Sequence, residues 1–175
     1  MVNQAHYSNY FPIHFRYSFN TSRELLWLIS VSYQAMARNT PFISLSNGFT
    51  SAGPGTSMVL YEAAAHGLVS VVSGGNLWEI AVAQNKHKNY ATPVEARMAC
   101  EVGHGVVKQG IKRSDANEIV KMILPKYEDK LTNPPLGKTF QECYDIKRVT
   151  PRKDYLELYD KIKKELMDIG VPFIY

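Results

Sequence analysis

The chain has 175 residues, 45% of them hydrophobic, which is normal for a globular domain and enough for one core. Its net charge of +4 is modest, and the lysines of the last third (Lys126, Lys130, Lys138, Lys147, Lys153, Lys161, Lys163 and Lys164) are interleaved with acids. That is the pattern of a solvated helical surface, so nucleic-acid binding is disfavoured. The most apolar stretch, Leu25 to Ala37, is broken by Ser30, Ser32 and Gln34 and is too short to span a bilayer, so no membrane partner is expected. Cys100 and Cys143 lie far apart, and MVNQAHYSNYF lacks the layout of a secretory leader. Reduced thiols and a cytoplasmic location are the expectation.

In chain order, FPIHFRYS reads as a strand, Phe11–Ser18, with Ile13, Phe15 and Tyr17 alternating with His14 and Arg16. A helix follows, capped by Asn20, Thr21 or Ser22, with Glu24 in its first turn and apolar residues at helical spacing through Met36. PFISLSN gives a second strand, Pro41–Ser46, and GFTSAGPG leads into a helix from Thr56 to His66. LVSVVSGG gives a third strand, Leu68–Ser73, after which Asn76 caps a helix over NLWEIAVAQNK. TPVEARMACEVGHGVVKQG and SDANEIVKMILPKYEDKL read as two more helices, and Pro134, Pro135 and Gly137 mark a linker. Thr150-Pro151, a capping hydroxyl before proline, opens a last helix that runs to Ile169.

Alternation of strand and helix predicts parallel βαβ units, as in a segment of a (β/α) barrel or a doubly wound sheet. Three strands leave two edges unpaired, so the chain reads as part of something larger. Residues 1–131 are expected to form a partial barrel and 132–175 an extension docked on it. The extension carries Phe140, Cys143, Tyr144, Ile146 and Val149 between its charges, which gives it something to pack.

In such folds ligands meet the loops after the strands. Those loops offer Arg16, Ser18, Asn20 and Thr21, then Ser46, Asn47, Phe49 and Ser51, then Ser73, Gly74, Gly75 and Asn76. They hold no carboxylate pair, no nucleophile with a base and no metal-ligand cluster, so no catalytic residue and no metal ligand is assigned. Ser73-Gly74-Gly75-Asn76, placed between a strand and a helix, has two readings. Its backbone N–H groups could hold an anion, or the glycines allow a tight turn and Asn76 caps the helix. Cys100 reads as a small buried hydrophobe, and Glu62 as part of a solvated helix face.

Four segments carry a family resemblance. GKTFQECYDIKRVTP, with DYLELYDKIKKEL after it, resembles the C-terminus of the archaeal monomethylamine:corrinoid methyltransferases. PVEARMACEVGHGV resembles that family's MEARMMGEVARA stretch, GPGTSMVLYEAAA its GPCTEMCLLEASA, and IHFRYSFNTSREL its strand and N-T-R-E-containing helix start. The matches run in one order over nearly the whole chain. The resemblance implies the C-terminal part of a TIM-type (β/α)8 barrel with a helical C-terminal extension. It implies transfer of a methyl group from monomethylamine to the cobalt of a corrinoid protein, in methanogenesis, by a homo-oligomer. The corrinoid would be carried by that partner and not bound directly. The family's pyrrolysine lies upstream of everything matched and is absent from this chain, so the chain alone is expected to be inactive.

By alignment on Gly53-Pro54, Asn47 and Phe49 stand where the family has a Gln-Tyr-Tyr run that holds the amine. They are the expected substrate-binding residues, with Arg16, Ser18, Asn20 and the Ser73–Asn76 segment at the pocket rim. Asn47 keeps an amide, while Phe49 lacks the hydroxyl, which leaves the choice of amine open. Two alternatives stand beside this reading: a non-catalytic assembly or corrinoid-protein-binding module, and an unrelated anion-binding α/β enzyme.

Overall fold

A computed structural model describes residues 7–174. Its centre is β2 (Ile43–Thr50), buried along nearly its whole length, as expected of a parallel strand covered on both faces. The strand expected at Pro41–Ser46 is therefore present and runs on through Asn47 and Phe49. It pairs in parallel with β1 (Tyr7–Asn9) on one side and β3 (Asn76–Val82) on the other. Three parallel strands in one sheet is the expected architecture, but two of the three come from other segments.

Phe11–Ser18 is not a strand. Its alternation instead builds a folded loop closed by His14 N–H to the Phe19 carbonyl (2.7 Å) and Ser18 N–H to the His14 carbonyl (2.8 Å). His14 packs between Tyr17 and Phe19, and Phe11 stacks on Phe49. Period-two apolarity here serves ring packing and no ladder.

The second correction lies in α2 (Ser57–Val72), which takes up most of the expected strand Leu68–Ser73. Thr56 caps it, its hydroxyl accepting the Val59 N–H at 3.3 Å. The helix is buried on nearly every side, so MVLYEAAAHGLVSVV is apolar all round and shows no helical period. Such a run cannot be told from a buried strand by pattern. Its end is a glycine cap: Gly74 at φ 94° donates to Val71 and Gly75 to Ser70. Asn76 then starts β3 and caps no helix. Its side chain donates to the Ser44 carbonyl at 3.2 Å.

α1 (Arg23–Asn39), α2 and α3 (Pro93–Gln109) cover the face of the sheet that carries Ser44, Ser46 and Leu77. α2 and α3 cross closely, since a Cβ on Gly67 would lie 2.7 Å from the Ala99 carbonyl oxygen. Thr92 and Glu95 form a capping box at the start of α3. α4 (Arg113–Ile123) follows with Ala116, Ile119, Val120 and Ile123 buried. Cys100, on α3, is exposed, contrary to expectation, whereas Cys143 is buried.

The last segment of the chain packs into the same core as the helices before it. After α5 (Phe140–Cys143) and a two-residue antiparallel pair, β4 (Tyr144–Asp145) with β5 (Thr150–Pro151), comes α6 (Lys153–Asp168). Tyr155, Tyr159, Ile162 and Leu166 of α6 join the same hydrophobic cluster as α1 to α4. The Tyr155 hydroxyl donates to Glu95 at 2.6 Å, Lys163 pairs with Glu101 at 2.7 Å, and Tyr61 donates to Glu165. Among the described residues no helix is long and apolar enough to cross a membrane.

Candidate functional site

The face of the sheet away from α1, α2 and α3 is built by the pleat and by one irregularity. Alternation along β2 sends Ser44, Ser46 and Gly48 to the helices and Leu45, Asn47 and Phe49 to the other side. In β3 the register shifts: Leu77 stands opposite Ser46, yet Glu79 stands opposite Asn47, with Trp78 as the extra residue. Without that bulge Leu77 and Glu79 would share a face. The bulge turns Glu79 onto the same face as Asn47, away from the helices, and leaves Trp78 62% exposed.

Asn47 Nδ2 donates to Glu79 Oε1 at 3.0 Å, and Asn47 Oδ1 is buried without a partner. Asn20 holds this part of β2 from the other edge. β1 ends at Asn9, and Tyr10 N–H to the Leu45 carbonyl (3.3 Å) is the last bond that its line supplies. Beyond it the Asn47 carbonyl and the Phe49 N–H need partners, and Asn20 serves both. Its Nδ2 donates to the former at 2.8 Å and its Oδ1 accepts from the latter at 2.7 Å. Its own backbone N–H donates to the Phe49 carbonyl at 2.9 Å.

Behind the site sits Glu62, which is fully buried, not on a solvated face. Its carboxylate accepts from Thr21 Oγ1 (2.5 Å) and from the backbone N–H of Ser51 (2.6 Å) and Ala52 (2.9 Å). Burial pushes its carboxyl up to about 7, against the pull of those donors. Glu62 thus ties the loop before α1 to the loop after β2. Tyr127 adds to the tie by donating to the Thr21 carbonyl at 2.6 Å. His66 lies on the helix side, with Nε2 3.1 Å from Ser46 Oγ and 3.2 Å from Ser70 Oγ. Burial brings its imidazole down to about 4 and keeps it neutral.

Of the expected residues, Asn47, Phe49 and Asn20 come together on one patch. Arg16 and Ser18 lie in the preceding loop, where Arg16 sits over the Tyr17 ring at 5.4 Å and Ser18 has φ 57°. Ser73, Gly74, Gly75 and Asn76 lie at the opposite end of the sheet, where β3 begins, and do not share that rim. They follow a helix C-terminus, whose carbonyl-rich end repels anions, so the strand-to-helix geometry that an anion site required is absent. The Ser73 hydroxyl is instead bonded to that of Ser30 at 2.9 Å. Glu79 was missed because its segment read as a helix, on which a lone glutamate is unremarkable. Among the described residues no cluster of His, Cys, Asp or Glu could hold a metal.

The family model for monomethylamine methyltransferase MtmB matches residues 1–171. Over 163 residues the chain is 34% identical to monomethylamine methyltransferase MtmB of Methanosarcina mazei and 35% identical to MtmB1 of Methanosarcina acetivorans. Each alignment covers 93% of this chain but only 35% of the relative. The crystal structure of Methanosarcina barkeri MtmB and that of a hydroxylamine MtmB complex each superpose with a TM-score of 0.87 at 34% identity. Each superposition covers 95% of this chain and 36% of the solved one. The chain belongs to the monomethylamine methyltransferase MtmB family and corresponds to a C-terminal portion of it.

Proposed function

We propose that this chain supplies the last strands, the outer helices and the docked tail of a (β/α) barrel that moves a methyl group from a small amine to a corrinoid protein. The observation that carries the reading is the inner sheet face. It holds Asn47 and Glu79, hydrogen-bonded to each other, beside Phe49, in a parallel sheet of which β1 and β3 are the edges. Parallel strands are normally covered on both faces, and barrels abolish edges by closing. The remaining length of the relatives would supply the strands that close this one.

In this reading the amine enters at the ends of β2 and β3, and the cobalt that accepts the methyl group arrives on the partner protein. The chain contributes binding and positioning groups, and the group that activates the amine lies in the remainder. Self-association as a homo-oligomer and a cytoplasmic setting belong to the same proposal. The test is a cobalt-methylation assay followed by absorbance, with monomethylamine and a corrinoid protein. The chain alone is expected to give no methyl-cobalt, and addition of a polypeptide matching the rest of the relatives should produce it. Turnover by the chain alone would contradict the need for the remainder. A bound but inert pair would contradict the activity and favour a non-catalytic assembly role.

A further inference from the structure

Glu79 is the single acidic side chain on the three strands of the sheet, which read YSN, ISLSNGFT and NLWEIAV and contain no lysine or arginine. Among the described residues its carboxylate forms no ion pair, and its hydrogen bond comes from Asn47 Nδ2. Closing the barrel would bury it, and a buried carboxylate met by one amide donor is strongly disfavoured unless a cation joins it.

Asn47 is already committed. Its Nδ2 faces Glu79, an orientation that the chemistry requires, because the flipped amide would set two acceptor oxygens together. Its Oδ1 is enclosed, and its backbone carbonyl is taken by Asn20. Glu79 is exposed. The bulge at Trp78 is what brings the carboxylate into register with that amide.

We infer that Glu79 is the residue that receives the substrate's ammonium group, and that Asn47 is a positioning residue that aims it. The ligand class is a small primary ammonium cation, whose N–H donors and charge match a lone carboxylate. The inference rests on the amine reading proposed above and assigns the residue that sets its specificity.

The probe is methylammonium chloride, titrated into the isotope-labelled chain at constant ionic strength against sodium chloride and followed by NMR. Saturable shifts are expected at the Glu79 carboxylate carbon and the Asn47 side-chain amide. Glu79→Gln should weaken binding roughly tenfold, the loss of one charge-assisted hydrogen bond, while Asn47→Leu should weaken it less. Tetramethylammonium, which has no N–H donor, should bind more weakly than methylammonium. No saturable shift in the parent chain, or a Glu79→Gln variant that keeps its fold and binds as well as the parent, would overturn the assignment. Two further results separate it from the function itself. A reconstituted enzyme in which Glu79→Gln leaves the KM for monomethylamine unchanged would refute Glu79 alone. Binding at Glu79 without cobalt methylation by the reconstituted enzyme would refute the methyl transfer alone.

Discussion

On the helix side of β2, Ser46 shares hydrogen bonds with His66 and Ser70 under a fully buried α2, and α3 and α6 close over that. On the other side of the same strand, one residue along, Asn47 meets Glu79, and Trp78 and Glu79 stand exposed. The two sides are made by the same backbone and differ by one step of the pleat. The helix side is finished by the chain's own tail: Tyr155 on Glu95, Lys163 on Glu101, Tyr61 on Glu165. The other side is covered only in part, by the loop whose Phe11 stacks on Phe49, and along β3 it stays open at Trp78 and Glu79. Stability is thus concentrated on one face, and the proposed amine site lies on the other.

The largest effects should come from the finished side. Leu166, fully buried at the end of α6, leaves a cavity when cut to alanine, and Leu166→Ala should cost about 3 kcal/mol in a denaturant titration. A loss near zero would mean that the tail does not share the core. Tyr155→Phe removes the donor to a buried carboxylate oxygen of Glu95 and should cost about 1–2 kcal/mol. The same substitution at an exposed tyrosine such as Tyr7 should cost little.

The pH dependence of stability should also come from the finished side. Glu62 has its folded value raised to about 7 from an ordinary carboxyl near 4.5. Between those two values the folded chain binds the proton more tightly than the unfolded one, so this contribution is full below about 4.5 and is lost as pH rises through about 7. His66 acts in the opposite sense: held neutral down to about 4, it costs stability as pH falls below 6.5. The parent should therefore lose stability relative to Glu62→Gln as pH rises from about 4.5 to about 7, read from denaturant midpoints at each pH. A constant difference would show that the carboxyl is not perturbed.

The smallest effect belongs to the open side. Phe49 is half-buried and stacks on Phe11. Phe49→Tyr should shift the denaturant midpoint by less than about 0.5 kcal/mol. A loss of about 1–3 kcal/mol would mean a hydroxyl buried without a partner and would make Phe49 core.

The same division decides what could be read in advance. Elements with their own local chemistry were legible: the cap of α1, where Ser22 is the one of three candidates that serves, the helix over TPVEARMACEVGHGVVKQG, and β2 itself. Thr150-Pro151 misled: it forms β5, and α6 starts at Lys153 after Arg152, whose side chain makes no capping bond. α2 was cut short because a helix buried on all sides loses the period that marks a helix. Taking its end as a strand pushed β3 into a helix and moved Ser73 to Asn76 to the wrong end of the sheet. The patch around Asn47, Phe49 and Asn20 was found from the strand that was read correctly. Glu79 was lost with the strand that was not, and the bulge that aims it leaves no mark in NLWEIAV.

The most direct test of the contrast between the two faces is amide hydrogen exchange on the chain, free and then bound to a polypeptide matching the remainder of its relatives. The account predicts new protection in β1 and β3, the two edges of the sheet, with α2, α3 and α6 unchanged. Protection gained on α6 and α3, with β1 and β3 exchanging as in the free chain, would contradict it.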